Sequence, residues 1–256
     1  MFTIIYVILF VSNLLTFNWK EKINPAGNTV SKRIILPKGY ERIPAPRGTF
    51  AEYLSHIPLK PAGSKVKYFN GLVKDRENVY CAVLDIPIGN KDLQQCADAV
   101  MRLRGEYLFA QKKYEAIHFN FLSDGKPRFF KKFAKGNYSY QTFEKYMEFV
   151  FISANTASLL KELKPIPTIQ SMKIGDVFIQ KGNPYGHAEI VLDMAVNKKT
   201  GKKIFLLAQS YMPAQDIQIL LNPMNENLSP WYEINENEIE TPEWNFQATD
   251  LRRFKD

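Results

Sequence analysis

The sequence predicts a single α+β domain in which an antiparallel sheet packs against a helix carrying Cys96. Three observations lead there. Between Met172 and Gln215, short apolar runs at 176–180, from His187 through Leu192, and at 204–209 are separated by Gly-Asn-Pro-Tyr-Gly and Lys-Lys-Thr-Gly-Lys-Lys, the pattern of strands joined by turns. From Leu93 to Lys113, Ala97, Val100, Met101, Arg104 and Leu108 recur at helical spacing, as do Leu103, Tyr107 and Ala110. The chain has 256 residues, 45% of them hydrophobic and 13% aromatic, which is globular rather than disordered and ample for a core.

Taken in order, the chain begins with an apolar run, FTIIYVILFVSNLLTF, at 2–17. It falls short of the about 20 residues a membrane span needs and suits a secretory signal core. Residues 1–19 are therefore read as a signal peptide or N-terminal anchor, and 20–39, polar with Pro25, Gly27 and Pro37, as a linker. The folded region is expected over 40–256. Thr49 can cap a short helix ending near Ser55, with His56 at its end. Strands are expected at 66–71 and 79–86, the second holding Cys81 in mid-strand as a small hydrophobe. Asn90 or Asp92 is the expected cap of the helix beginning near Leu93.

Residues 114–164 read as an inserted segment: a strand at 116–121, a basic and aromatic stretch at 129–140, and one helix from Thr142 to Leu163 ended by Pro165 and Pro167. The basic and aromatic stretch reads as ordinary strand and loop, or as a wall for a ligand. After Gln209 come a strand at 217–221, loops, a solvated acidic stretch at 233–243 and an edge strand at 244–246.

Chemistry concentrates at one sheet end. The turn near Lys199–Thr200 places His187 opposite position 211 or 212 in antiparallel pairing, so His187, Gln209, Ser210 and Tyr211 should gather. A histidine beside an amide suits a general base held in orientation; a structural histidine is the plainer reading. Cys96 falls in a first helical turn, where unpaired amides and the helix dipole favour a thiolate. It is otherwise a small buried residue, or the partner of Cys81 in a disulfide, which two cysteines in an exported chain allow. His118, flanked by bulky apolar residues, ranks behind His187. Asp176 with Glu189 is an open carboxylate pair for glycoside chemistry.

The formal charge of +8, from 34 basic and 26 acidic residues, is spread along the chain. No zinc-finger, helix-turn-helix or RNA-binding motif accompanies it, so nucleic acid is not an expected partner; a basic surface suits an anionic cell envelope. There is no phosphate-cradling loop or nucleotide fingerprint, and the three histidines contain no pair at ligand spacing. No cofactor and no metal are expected.

Gly-Asp-Val-Phe-Ile followed by Gly-His-Ala-Glu-Ile-Val-Leu-Asp resembles the pattern of papain-like amidases, among them cell-wall endopeptidases of the NlpC type and CHAP amidases. In that superfamily the His opens the second sheet strand and a polar residue on the next strand orients it. The resemblance implies a papain-like amidase-type fold, with Cys96 as nucleophile, His187 as base and Gln209 or Ser210 as orienting residue. The amide of Cys96, helped by Gln94 or Gln95, is the implied oxyanion donor, and Gln95, Ser210 and Tyr211 are the implied binding residues. Gln-Cys-Ala-Asp stands here where the NlpC-type enzymes carry Asp-Cys-Ser-Gly, and the interval from Cys96 to His187 is longer than theirs.

From about Tyr40 onward the chain is more completely similar to an uncharacterised secreted bacterial family of unknown function, through LQQCADAVMRLRGEYL, GDVFIQ, LLAQSYMPAQD and SPWY. The resulting expectation is an exported, periplasmic or envelope-associated cysteine-dependent hydrolase. Its substrate would be an envelope peptide, glycopeptide or peptidoglycan-like amide. The alternative is an exported, non-catalytic ligand-binding protein on the same fold.

Overall fold

A computed structural model describes residues 19–76, 78–182 and 184–255; the apolar run at 2–17 lies outside them. The elements are, in order, α1 (Val30–Arg33), β1 (Tyr40–Arg42), α2 (Phe50–Ser55), β2 (Tyr80–Val83), α3 (Cys96–Ala110), β3 (His118–Asn120), β4 (Pro127–Phe129), α4 (Phe130–Ala134), α5 (Tyr140–Ser153) and α6 (Thr156–Glu162). There follow β5 (Leu163–Pro165), β6 (Val177–Gln180), β7 (His187–Asn197), β8 (Lys203–Gln209), β9 (Gln218–Leu220), β10 (Tyr232–Glu233), β11 (Glu238–Glu240), β12 (Asn245–Gln247) and β13 (Leu251–Phe254). The molecule is mixed α/β, with a large antiparallel sheet and several helices.

The sheet runs β2-β9-β8-β7-β6-β13-β5, with β1 added to β7 and β10 to β8. Its spine is the β7–β8 hairpin, in which Ile190 faces Ala208 and Val191 faces Leu207. Continued toward the start of β7, that register brings His187 level with Tyr211. Side chains alternate across a strand. Ala188, Ile190 and Leu192 join the core shared with the helices, whereas Val191, Phe205 and Leu207 join a second core on the opposite face with Phe178 and Phe246. By the same alternation His187 and Glu189 share the face of Val191, and Gln209 that of Leu207.

α3 packs across β7 and against α5. Gly105 permits the helix–helix approach: a Cβ there would stand 3.1 Å from the Met147 sulfur. The stretch at 114–164 folds as the β3–β4 hairpin and α4 to α6.

Several expectations need correction. The stretch at 20–39 is packed rather than a linker: Val30 and Ile34 are fully buried in the main core, Ile23 bridges Ile34, and Thr29 bridges Pro58. The helix expected from Leu93 begins at Cys96, with Gln95 rather than Asn90 or Asp92 at the cap position. The single helix expected over 142–163 is two, because Ala154 is extended and the Asn155 side chain accepts the amides of Ala157 and Ser158 to start α6. The acidic stretch ends in a buried Glu243. The strand near 245 pairs with β11 as a separate two-stranded unit instead of edging the main sheet. Both cysteines are free thiols.

Candidate functional site

Cys96 opens α3, so its amide has no partner within the helix. The helix start is fixed by Asp98, whose Oδ2 accepts the Gln95 amide at 3.1 Å, and by Asp92, whose Oδ1 accepts the Gln95 side-chain amide at 3.0 Å and the Ala214 amide at 2.7 Å. The thiol meets the start of β7. Its sulfur lies 3.9 Å from the Gly186 carbonyl oxygen and interacts electrostatically with the His187 ring and with the backbone at Ala97 and Ala188. Gly186 has no room for a side chain: a Cβ there would collide with the Gln180 carbonyl and the Thr156 hydroxyl.

His187 is 2% exposed. Its Nε2 lies 2.7 Å from Gln209 Oε1 and 3.5 Å from Glu189 Oε1, which leaves Nδ1 for the thiol. Tyr211, Trp244 and Phe246 surround the ring, with centroids at 4.9, 5.2 and 6.0 Å. Trp244 is itself held by its indole N–H on Gln180 Oε1 at 2.9 Å.

A polar chain continues behind the imidazole. The Gln209 amide donates to Glu243 Oε2 at 2.7 Å, and Glu243 also takes Lys74 at 2.5 Å and Arg76 at 3.0 Å. A carboxylate paired with two cations only accepts. It therefore fixes the Gln209 amide with its oxygen toward His187, so that Nε2 carries the proton and Nδ1 is free to take one. The Thr241 hydroxyl lies between Glu189 Oε1 at 2.9 Å and the Trp244 carbonyl at 2.7 Å, and shares its one proton between these two acceptors.

Burial alone would push the Cys96 thiol up, but the hydrogen bond and charge of His187, with the backbone at Ala97 and Ala188, outweigh it and bring the thiol below its usual value. Burial likewise opposes charge on His187, yet its bonds to Cys96 and Glu189 raise it to about 10. The two shifts share one cause, the interaction of the thiol with the imidazole, which favours the charged form of each. Burial, and then the neighbouring Cys96 charge, push the Asp98 carboxyl well up.

The pair opens onto a cavity of about 440 Å³. Gln95, Cys96, His187, Tyr211 and Trp244 line it, as do Phe151, Ala154, Asn155 and Thr156 at the junction of α5 and α6. Of the residues expected to bind, Gln95 and Tyr211 line this space. Ser210 does not: it is fully buried, and its hydroxyl donates to the carbonyls of Gln94 and Gln215. Gln94 is also sealed in, with Oε1 accepting from Arg102 at 3.4 Å. His118 stands apart on β3 beside Glu162, 3.3 Å away, and His56 closes α2 against the Glu52 carbonyl. Asp176 is taken by Arg253 at 2.7 Å, whereas Glu189 faces His187 at 3.5 Å. Glu189, Thr241, Glu243 and Lys74 are the site's further members. Among the described residues no group of three His, Cys, Asp or Glu side chains is arranged to hold a metal ion.

The fold and site define a mixed α/β protein with a half-buried thiol beside a buried imidazole and amide at one end of an antiparallel sheet. Within that class, the chain belongs to the family described as Domain of unknown function (4846), whose pattern matches residues 30–253. No curated protein and no solved structure matches the chain.

Proposed function

We propose that the protein is an exported cysteine-dependent amidase on a papain-like fold, acting on an amide of an envelope peptide or glycopeptide. The observation that carries this reading is the contact of Cys96, at the start of α3, with a His187 whose far nitrogen is held by Gln209. A nucleophile touching a base that is oriented by a third group is the arrangement covalent acyl transfer requires. The order Cys, His, Gln along the chain agrees with the papain-like resemblance, and the apolar run at 2–17 supports export.

In this reading the Cys96 thiolate attacks the carbonyl carbon, and the carbonyl π pair moves to oxygen. The Cys96 amide, helped by the Gln95 side chain, is the proposed donor to that oxyanion. Collapse re-forms the carbonyl and breaks the C–N bond, and the leaving nitrogen takes the proton from His187. A water molecule, giving its proton to His187, then cleaves the thioester to a carboxylic acid and returns the thiol. Tyr211 and Trp244 limit the access of other water to the ring.

The test is iodoacetamide treatment of the folded protein near neutral pH with mapping of adducts, followed by assay of envelope-type peptide amides against Cys96→Ala. Fast, selective labelling of Cys96 and turnover lost in Cys96→Ala are expected. An inert Cys96 contradicts the hydrolase and leaves a non-catalytic binding protein.

A further inference from the structure

Glu189 follows His187 by two residues on β7, so the pleat sets both side chains on one face. It is fully buried. Its Oε1 lies 3.5 Å from His187 Nε2 and 2.9 Å from the Thr241 hydroxyl, while Oε2 has no hydrogen-bond partner among the described residues. The Nε2 proton thus faces two acceptors of different kinds: the Gln209 amide oxygen at 2.7 Å and this carboxylate. The amide is the nearer and sets direction, but it carries no net charge. A buried cation needs a counter-charge, and the thiolate that supplies one is consumed when it forms a thioester.

We propose that Glu189 is a positioning residue that neutralises the His187 imidazolium from the side opposite Cys96, leaving Gln209 to fix the ring's direction. This rests on the thiol hydrolase reading above. The proton exchange it biases is thiol plus imidazole giving thiolate plus imidazolium; burial raises the Glu189 carboxyl while His187 and Thr241 lower it, and in its carboxylate form it favours the charged side. It also keeps the imidazolium in place once the sulfur is acylated, when that proton must reach the leaving nitrogen.

The other charges around the ring do not replace it. Cys96 is the reacting group. Glu243, from the loop before β12, reaches the ring only through Gln209 and is paired with Lys74 and Arg76. Asp98, in the first turn of α3, is raised by burial and by the Cys96 charge itself. Tyr211 presents its ring to His187 while its hydroxyl points to the Glu243 carbonyl.

The experiment is the pH dependence of Cys96 alkylation by iodoacetamide in wild type, Glu189→Gln and Thr241→Val, each checked for folding by circular dichroism. Glu189→Gln keeps shape and removes charge. Its alkylation near neutral pH should fall about tenfold, the equivalent of about one pKa unit, with the thiolate appearing only toward ordinary cysteine pH. Thr241→Val, which leaves the carboxyl in place without its donor, should move the profile the same way by less, and it decides the matter if Glu189→Gln does not fold. A wild-type profile in a folded Glu189→Gln, or in Thr241→Val where that variant decides, overturns the assignment while the hydrolase reading stands. Slow labelling in wild type itself overturns the hydrolase reading and this inference with it.

Discussion

The side-chain nitrogen of Gln209 donates to the Glu243 carboxylate at 2.7 Å, and this contact settles which end of the amide faces His187. A residue 34 positions away in sequence thereby sets the tautomer of the imidazole. Gln209→Ala should leave the ring free to turn. A hydrogen bond to a charged group is worth about 1.5–3 kcal/mol, so Cys96 alkylation near neutral pH should slow about ten- to hundredfold. An unchanged rate would show that the surrounding rings alone hold the imidazole.

Lys74 and Glu243 are a buried pair, with side chains 3% and 6% exposed, whereas Arg76 is 56% exposed. Removing one partner of a buried pair strands the other charge, at about 3 kcal/mol or more; an exposed partner contributes about 1 kcal/mol or less. Lys74→Met should therefore lower the urea midpoint far more than Arg76→Met. Equal effects would mean that Glu243 is held mainly by its solvent-side partner.

Asp98 presents the pH case. Its folded-state carboxyl lies well above the ordinary value, through burial first and the Cys96 charge second. Linkage then has a definite sign. The folded form holds its proton where the unfolded form has lost it, so stability is greatest below the unfolded value and declines as pH rises from about 4 toward neutrality. Asp98→Asn should flatten that decline and bring the Cys96 thiolate to lower pH by removing a like charge. Stability curves of both proteins across this range check the first claim, and alkylation profiles the second.

His187 works in the opposite part of the scale. Its value rises from 6.5 to about 10 in the folded protein. Its contribution is complete below 6.5 and is lost as pH climbs through about 10. His187→Gln should be less stable than wild type near neutral pH, with the difference narrowing at alkaline pH. A difference constant with pH would assign the loss to packing rather than charge.

Much of this arrangement can be read from local pattern. Strand alternation with a turn near Lys199 brings His187 and Gln209 to one sheet end, and the onset of helical spacing puts Cys96 at a helix start. The same alternation places Glu189 beside His187, a signal present in the sequence that draws little notice because acidic residues are common. Glu243 is different. Nothing in an acidic stretch between Glu233 and Glu243 marks its last residue as buried; that follows from the β11–β12 unit folding back over the sheet and from Lys74 arriving from a distant loop. Val30 and Ile34 likewise become core residues only through long-range bridges to Pro58 and Ile23. The division of the 142–163 helix turns on Asn155 capping a new start, a local cue that uninterrupted apolar spacing conceals.

The central claim is a thiolate paired with an imidazolium at rest. Ultraviolet thiolate absorbance, titrated in wild type against Cys96→Ser, measures it most directly, because Cys81 is buried and its thiol is pushed upward by that burial. The account predicts a Cys96-dependent step clearly below the ordinary value of 9.0. It also predicts that His187→Gln moves this step upward. A single step at or above the ordinary value, unmoved by His187→Gln, would contradict it.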